Sequence, residues 1–392
     1  MIGTVGADAG GVKTIIGSRV DATGFVPIPS SATLSCDGAG GNLDCPQFFG
    51  PDWVDSTGVR FFGLTNRANP PRCVKSTNGG GTWGLCDAGT ASPFVGALDL
   101  LGGSMTTAAD GSLIAVGDQG ANNCIIRRST DYGTSWSTVF TDTTASRSCG
   151  IAFSNPTTNM VRCAQTGFCT VIGRGAGAFE EVNYFSNDYG ANWSIGTSFT
   201  MVSGDAEFHL RLNNSGNVGV LSPFAVTYAS TFAAILSGNN FIVTTAIPTP
   251  PGSGASAKCP GSVIFGSNNY VVCGPDPLNT TTYRLFNIIG TTPTFLYSFL
   301  PLDTPTNAQS PDFTIIAYNG NVAYMVGRSA DGTKINVYVT QDTFNTIIRI
   351  ASLTPTTGLI TGCCRGDMHV WNGKIYFTIA GTGANAVFGK VQ

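Results

Sequence analysis

The chain has 392 residues; only 11% are charged, 51 are glycine, and the formal net charge is −3. Without a basic field it offers no electrostatic footprint for nucleic acid, and no apolar run approaches the ~20 residues of a membrane span. A neutral composition rich in Gly, Ser, Thr and Asn points to a turn-rich β protein, and an all-β ring of this length forms one domain.

Residues 1–55 carry Cys36 and Cys45 and two candidate strands, 14–20 and 24–28. No charged segment followed by an apolar one opens the chain, so no signal peptide is expected. From 56 to 392 a repeat takes over. Apolar strands ending in a small residue recur at Phe61-Phe62-Gly63, Ala115-Val116-Gly117, Val171-Ile172-Gly173, Val220-Leu221-Ser222, Val272-Cys273-Gly274, Met325-Val326-Gly327 and Thr378-Ile379-Ala380. Their ends lie 54, 56, 49, 52, 53 and 53 residues apart. Turn signals precede most of them: Asp110-Gly111, Ser215-Gly216, Asn268-Asn269, Asn319-Gly320 and Asn372-Gly373. Such pairs between apolar runs mark hairpins.

A second pattern, Ser-x-Asp/Asn-x-Gly-x-x-Trp, begins at 76, 129 and 186. Its residues are Ser76, Asn78, Gly80 and Trp83, then Ser129, Asp131, Gly133 and Trp136, then Ser186, Asp188, Gly190 and Trp193. These begin 13, 12 and 13 residues after their own strand markers, and a remnant built on Thr340 and Asp342 begins 13 after Gly327. In each pattern the acid is expected to bond its own backbone two residues on, braced by the Ser. The Gly supplies positive φ, and the Trp opens the next strand and buries its ring between neighbouring sheets. Each unit therefore reads strand, turn, strand, loop, strand, patterned turn, strand, and a period of this size means an array of such units.

The pattern resembles the Asp-box, or BNR, repeat of sialidase-like β-propellers. The resemblance implies an all-β propeller, and the seven markers imply seven four-stranded blades. The seventh unit ends after about three strands, so a strand of segment 1–55 is expected to complete it, because an open ring leaves an exposed sheet edge. The resemblance also implies that the patterned turns occupy one face and ligands meet the other. Loops 65–72, 118–123, 174–181, 275–282, 328–334 and 381–384 then form the ligand face, with Arg67, Arg72, Asp118, Arg174, Asp276, Arg328 and Asp331 as candidate contacts.

Twelve cysteines point to disulfides and an oxidising environment. Hairpin spacing suggests Cys36 with Cys45, Cys73 with Cys86, Cys163 with Cys169 and Cys259 with Cys273; of the remainder, Cys124 and Cys149 are the plausible pair, and Cys363 and Cys364 stay unassigned. There is no Cys-x2-Cys pair and only His209 and His369 could assist, so neither metal nor cofactor is expected.

The residues of sialidase catalysis are poorly represented. The region expected to hold Arg-Ile-Pro reads Phe25-Val26-Pro27-Ile28-Pro29, and the chain has three glutamates, Glu180, Glu181 and Glu207. Glu207 lies four residues before Arg211, which reads as a salt-bridging surface strand; Ser222-Pro223-Phe224 stands where an arginine would follow. A retaining glycosidase needs two carboxylates about 5–5.5 Å apart, and Asp118, Asp276 and Asp331 are the loop acids able to converge. No Gly-x-Ser-x-Gly elbow supports a serine hydrolase. Arg365-Gly366-Asp367 reads as a turn with an incidental adhesion tripeptide, and Asn192, Asn213 and Asn279 stand in glycosylation sequons.

The composition resembles phage tail-fibre, spike and capsid-decoration proteins, which are made without signal peptides and oxidise outside the cell. The expectation is a non-enzymatic protein of a virion or extracellular surface, contacting other structural proteins, a glycan or a receptor. A sialidase-like hydrolase with a divergent site and an extracellular adhesion protein are the alternatives.

Overall fold

The computed structural model describes residues 5–7, 13–15, 22–27, 61–64, 73–77, 84–86, 104–118, 123–149, 161–177, 180–200, 208–223, 226–227, 232–248, 256–274, 282–299, 313–318, 322–329, 331, 333–354, 368–371, 374–380 and 386–391. Among them there is no helix. Apart from a hairpin of Val5–Ala7 with Lys13–Ile15, the strands form antiparallel sheets, numbered here in chain order. Sheet 1 has Phe61–Leu64, Cys73–Ser76 and Gly84–Leu85. Sheet 2 has Ser104–Thr107, Leu113–Asp118, Cys124–Ser129 and Ser137–Asp142. Sheet 3 has Val161–Cys163, Cys169–Arg174, Glu180–Ser186 and Ser194–Thr200. Sheet 4 has Phe208–Leu212, Gly219–Pro223, Phe232–Ser237 and Asn240–Ala246.

Sheet 5 has Ser256–Phe265, Asn268–Gly274, Tyr283–Ile289 and Thr292–Phe299, with Val226–Thr227 added beside the first of these. Sheet 6 has Phe313–Tyr318, Val322–Arg328, Ile335–Thr340 and Ile348–Leu353. Sheet 7 has Met368–Trp371, Lys374–Ala380 and Ala386–Val391, and its fourth strand is Ala22–Pro27, with Val26 opposite Phe388. First strands of successive sheets lie side by side from sheet 1 to sheet 7, and so do the fourth strands of sheets 3, 4 and 5. This is a β-propeller. Each apolar marker of the sequence falls on the second strand of a four-stranded sheet, or on Phe61–Leu64 of sheet 1.

The core follows from the two-residue period of a strand. Leu113 and Ala115 of sheet 2 pack towards Cys73, Cys86 and Met105, whereas Ile114 and Val116 pack towards Val171 and Tyr184 of sheet 3. The split repeats along the chain. Ile172 faces Leu210 and Leu221, Val220 faces Val271, and Val272 faces Met325. A sheet covered on both faces needs near-continuous apolar strands, which is why all of Leu113–Asp118 is buried.

Four disulfides staple the described residues. Cys163 and Cys169 pair directly across the first two strands of sheet 3 (Cα–Cα 4.0 Å). Cys259 and Cys273 bridge the first two strands of sheet 5 where their register slips (3.9 Å), and Cys73 and Cys86 span the patterned turn of sheet 1 (5.3 Å). Cys124 and Cys149 tie the third strand of sheet 2 to the segment leaving that sheet (4.6 Å). Cys36, Cys45, Cys363 and Cys364 lie outside the described residues.

Two glycines separate backbone strain from sheet packing. A Cβ at Gly111 (φ +87°) meets nothing within 4 Å, whereas one at Gly190 (φ +75°) comes 2.4 Å from Ile114 Cδ1 of the preceding sheet. Gly111→Ala is expected to cost only the left-handed penalty, about 1–2 kcal/mol. Gly190→Ala should cost about 1–3 kcal/mol more through overpacking. Denaturant melts of the two variants, compared with wild type, measure the difference.

Candidate functional site

Antiparallel order places the third-to-fourth connections on one face and the ends of the second strands on the other. On the first face, Ser129 Oγ accepts from Gly133 N at 2.8 Å and donates to Asp131 Oδ1 at 2.8 Å. Asp131 accepts from Ser135 N at 2.9 Å and from Ser135 Oγ at 2.6 Å. The second turn repeats this: Gly190 N to Ser186 Oγ at 3.0 Å, and Asn192 N and Nδ2 to Asp188 at 2.9 and 2.6 Å. In sheet 6, Thr340 Oγ1 takes the serine's place and Asp342 accepts from Thr346 N at 2.8 Å.

The acid therefore reaches four residues on, not two. Two successive left-handed residues cause this, Tyr132 (φ 58°) with Gly133 (83°) and Tyr189 (58°) with Gly190 (75°). They curl the chain until the later N–H points at the carboxylate. Phe344 fills the glycine position at φ 69°, its ring buried against Phe265 and Phe299. Trp193 Nε1 donates to Gly190 O at 2.9 Å with its ring buried beside sheet 2, and Trp136 Nε1 donates to Gly133 O at 3.1 Å, its ring against the Cys73–Cys86 bridge. Burial alone raises the carboxyl pKa of Asp131, Asp188 and Asp342, but their hydrogen bonds outweigh it and hold each below the ordinary range. The turns thus use their own polar atoms. Asn78, Gly80 and Trp83 lie outside the described residues; Ser76 is buried.

On the opposite face, two of the candidate contacts come together. Asp118 ends the second strand of sheet 2 and is buried. Its carboxylate accepts from Cys149 N at 2.7 Å and from the Ser148 hydroxyl. Ser148 also pairs its backbone with Arg174, at the end of the second strand of sheet 3 (2.7 and 3.1 Å). The segment from Asp142 to Cys149 is thereby clamped between two sheets and locked by Cys124–Cys149. Next to it, Asp142 accepts from Thr144 N at 2.9 Å, Tyr184 Oη at 2.9 Å and Arg147 Nη1 at 3.2 Å. Burial raises Asp142, but these bonds bring it below the ordinary carboxylate range. Burial, then the bond to Asp142, pushes the Tyr184 hydroxyl well up, so it stays protonated. Sequence reasoning missed Asp142, Arg147, Ser148 and Tyr184; the Cys124–Cys149 pairing was the signal that pulls this segment onto Asp118.

Beside Arg174 stand both glutamates of sheet 3. Glu180 Oε2 accepts from Gly177 N at 2.7 Å, and the bonds from Ser198 and Gly177 lower its carboxyl pKa. Glu181 keeps some exposure, yet burial of its carboxyl pushes it up to about 8, against the pull of Arg174.

The remaining candidates do not join this group. Asp331 is exposed and caps its own turn, accepting from the Ser329 hydroxyl at 2.5 Å and from Thr333 N at 3.0 Å, which lowers its carboxyl to about 2. Arg328 ends the second strand of sheet 6; its side chain, and all of Arg67, Arg72, Asp276, Glu207 and Arg365–Asp367, lie outside the described residues. Arg211, expected on a surface strand, is buried in the first strand of sheet 4. Among the described residues no three His, Cys, Asp or Glu gather into a metal-binding group, and no helix is long and apolar enough to cross a membrane.

No family model matches the sequence, and no curated protein does. Solved structures match in fold. One is the polysaccharide lyase Uly1: TM-score 0.53, 10% identity, 95% of this chain and 98% of that one. Another is a protein from Lactobacillus plantarum: TM-score 0.50, 13% identity, 76% and 83%. At such identities the likeness is one of fold.

Glu181 carries a pH test. Its folded pKa is raised, so its contribution to stability is complete below the unfolded value near 4.3 and is lost as pH rises towards about 8. Thermal melts from pH 5 to 9 should show wild type losing stability across this window, and Glu181→Gln losing less. Parallel pH curves for the two proteins would contradict the assignment.

Proposed function

We propose that this chain is a non-enzymatic contact protein of an extracellular or virion surface. It is a closed ring of seven blades with Asp-box turns. Segment 1–55 contributes the closing strand, and residues 56–392 form the ring. The ring presents its second-strand face to a neutral glycan or to a neighbouring structural protein. The observation that carries this reading is the fate of three described aspartates on that face. Asp118 gives its carboxylate to Ser148 and Cys149, Asp142 to Thr144, Tyr184 and Arg147, and Asp331 to its own turn. A general acid or nucleophile needs an oxygen turned towards the substrate; the carboxylates of Asp118 and Asp142 are buried in the protein, and that of the exposed Asp331 is engaged by its own turn. The four disulfides among the described residues support life in an oxidising medium. The virion placement rests on composition, and Arg67, Arg72, Arg174 and Arg328 remain the candidate glycan contacts.

Glu181 favours a second reading. A carboxyl that titrates near 8 is protonated at neutral pH and is suited to general-acid chemistry. A sialidase-like glycan hydrolase of the class that shares this architecture would use it beside Arg174.

A glycan array together with a panel of chromogenic glycosides separates the two. Binding without turnover is expected for wild type, with Arg174→Ala weakening it and Glu181→Gln leaving it intact. Turnover by wild type that disappears in Glu181→Gln, with the melt unchanged at pH 6, would establish the hydrolase instead.

A further inference from the structure

Gly117 and Gly173 are corresponding marker residues, so Asp118 of sheet 2 and Arg174 of sheet 3 hold the same place, where each second strand ends. In sheet 2 the row across the strands at this level is Asp118, Cys124 and Asp142. In sheet 3 it is Arg174, Glu181 and Phe199. Each row looks towards the next sheet. Asp142 accepts from Tyr184 of sheet 3, and Phe199 packs against the cluster of Leu210 and Phe241 of sheet 4, its ring 6.2 Å from that of Phe241. Residues directly opposite in an antiparallel pair share a face, so Arg174 and Glu181 lie on the same side as Phe199.

The chain itself fills the first row. Cys149 is bonded to Cys124, and with Ser148 it occupies the Asp118 carboxylate. The connection that supplies this filling has 18 residues, 143–160, whereas the next has seven, 201–207. The shorter one must cross from the outermost strand to the innermost, three strand spacings or ~14 Å, so less of it can enter the cleft. Arg174, Glu181 and Phe199 remain half-buried.

We infer that this row is the glycan subsite of the second-strand face, seating one neutral sugar unit between sheets 3 and 4. The inference rests on the glycan reading above and gives it a place. A guanidinium donates, a protonated carboxyl donates and accepts, and a phenyl ring offers an apolar face. A sugar unit presents hydroxyls of both kinds around a C–H face that suits such a ring. Burial keeps the Glu181 carboxyl protonated at neutral pH, and the ionised Glu180 beside it offsets the charge of Arg174, so the row is close to neutral. The row spans two strand spacings, about 10 Å, too narrow for the ~800 Å² that a protein partner covers. Thr197 N donates to Asn240 Oδ1 at 2.9 Å and Asn183 Nδ2 to Asn239 O at 2.5 Å, which ties sheet 3 to sheet 4 before anything binds. A preformed cleft loses little entropy on association.

NMR titration of the full disulfide-bonded chain at neutral pH tests this, with the methyl glycosides of glucose, galactose, mannose and N-acetylglucosamine and a methyl glucuronide as probes. At least one neutral glycoside should bind. Arg174→Ala and Phe199→Ala should each weaken that binding about tenfold or more. Arg349→Ala, which removes the same charge from the fourth strand of sheet 6, should not. In wild type the glycoside should slow amide exchange in Glu180–Ser186 and Ser194–Thr200, which locates the site even where Phe199→Ala folds poorly. Binding that survives both substitutions, or protection confined to other sheets, would overturn this site and leave the glycan reading standing. Tighter binding of the glucuronide would overturn the neutral class, and no binding by any probe would overturn the site and the glycan reading together.

Discussion

A four-stranded sheet in this molecule has no core of its own, and everything else depends on how it acquires one from its neighbours. Both faces must be covered, so adjacent residues of one strand serve different interfaces: Leu113 one, Ile114 the next. This explains the low charge, since a residue on a second strand has no solvent face to occupy. It also explains where the charges that do enter these layers end up. Arg284 is buried, but its guanidinium lies over Phe286 and Phe295, where the ring faces stabilise a cation taken out of water. Glycine at the patterned turns follows from the same packing. Gly133 lies where a Cβ would strike Cys86, and Gly190 where one would strike Ile114, each in the preceding sheet. The turn is a device for bringing sheets close as well as for reversing the chain.

What the sequence revealed and what it hid divide along the range of the interactions. The patterned turn closes within eight residues, Ser129 to Trp136, so its chemistry repeats wherever its residues do. Even the degenerate copy keeps the bonds of Thr340 and Asp342, although Phe344 replaces glycine and must adopt φ 69°. Burial of that ring, 1% exposed, offsets a left-handed backbone. By contrast the Asp142–Tyr184 bond joins residues 42 apart in different sheets, and Asp118 meets Ser148 across 30 residues. No local pattern encodes these meetings. Only a disulfide hinted at them, because Cys124 and Cys149 had to be brought together.

Arg211 shows a different failure. Leu210 beside Arg211 reads as an apolar face beside a polar, solvated one. In a sheet covered on both sides that alternation loses its meaning, and Arg211 is buried with Nη1 donating to Leu210 O at 3.2 Å. Alternation reports exposure only where one face meets water. In a ring of packed sheets the exposed positions are the strand ends and the fourth strand, and these are legible from position in the repeat rather than from polarity.

The fourth strands carry the last consequence. In sheets 2 to 6 the pairing of third and fourth strands slips by a bulge, at Thr138–Phe140, Val182–Tyr184, Phe232–Ala234, Leu285–Phe286 and Val337–Tyr338. A bulge bends and twists the outer strand, so its free N–H and C=O groups no longer form the straight row that another strand needs for a continuous ladder. Protection against indiscriminate edge pairing is thus built into the backbone. Charge is then not required on the rim for that purpose, and apolar side chains such as Ile242 and Leu296 are free to stand exposed there. Association through side chains on a bulged rim depends on shape, whereas association through a straight edge accepts any strand. An uncharged outer surface can in this way be sticky towards one partner without being sticky towards all.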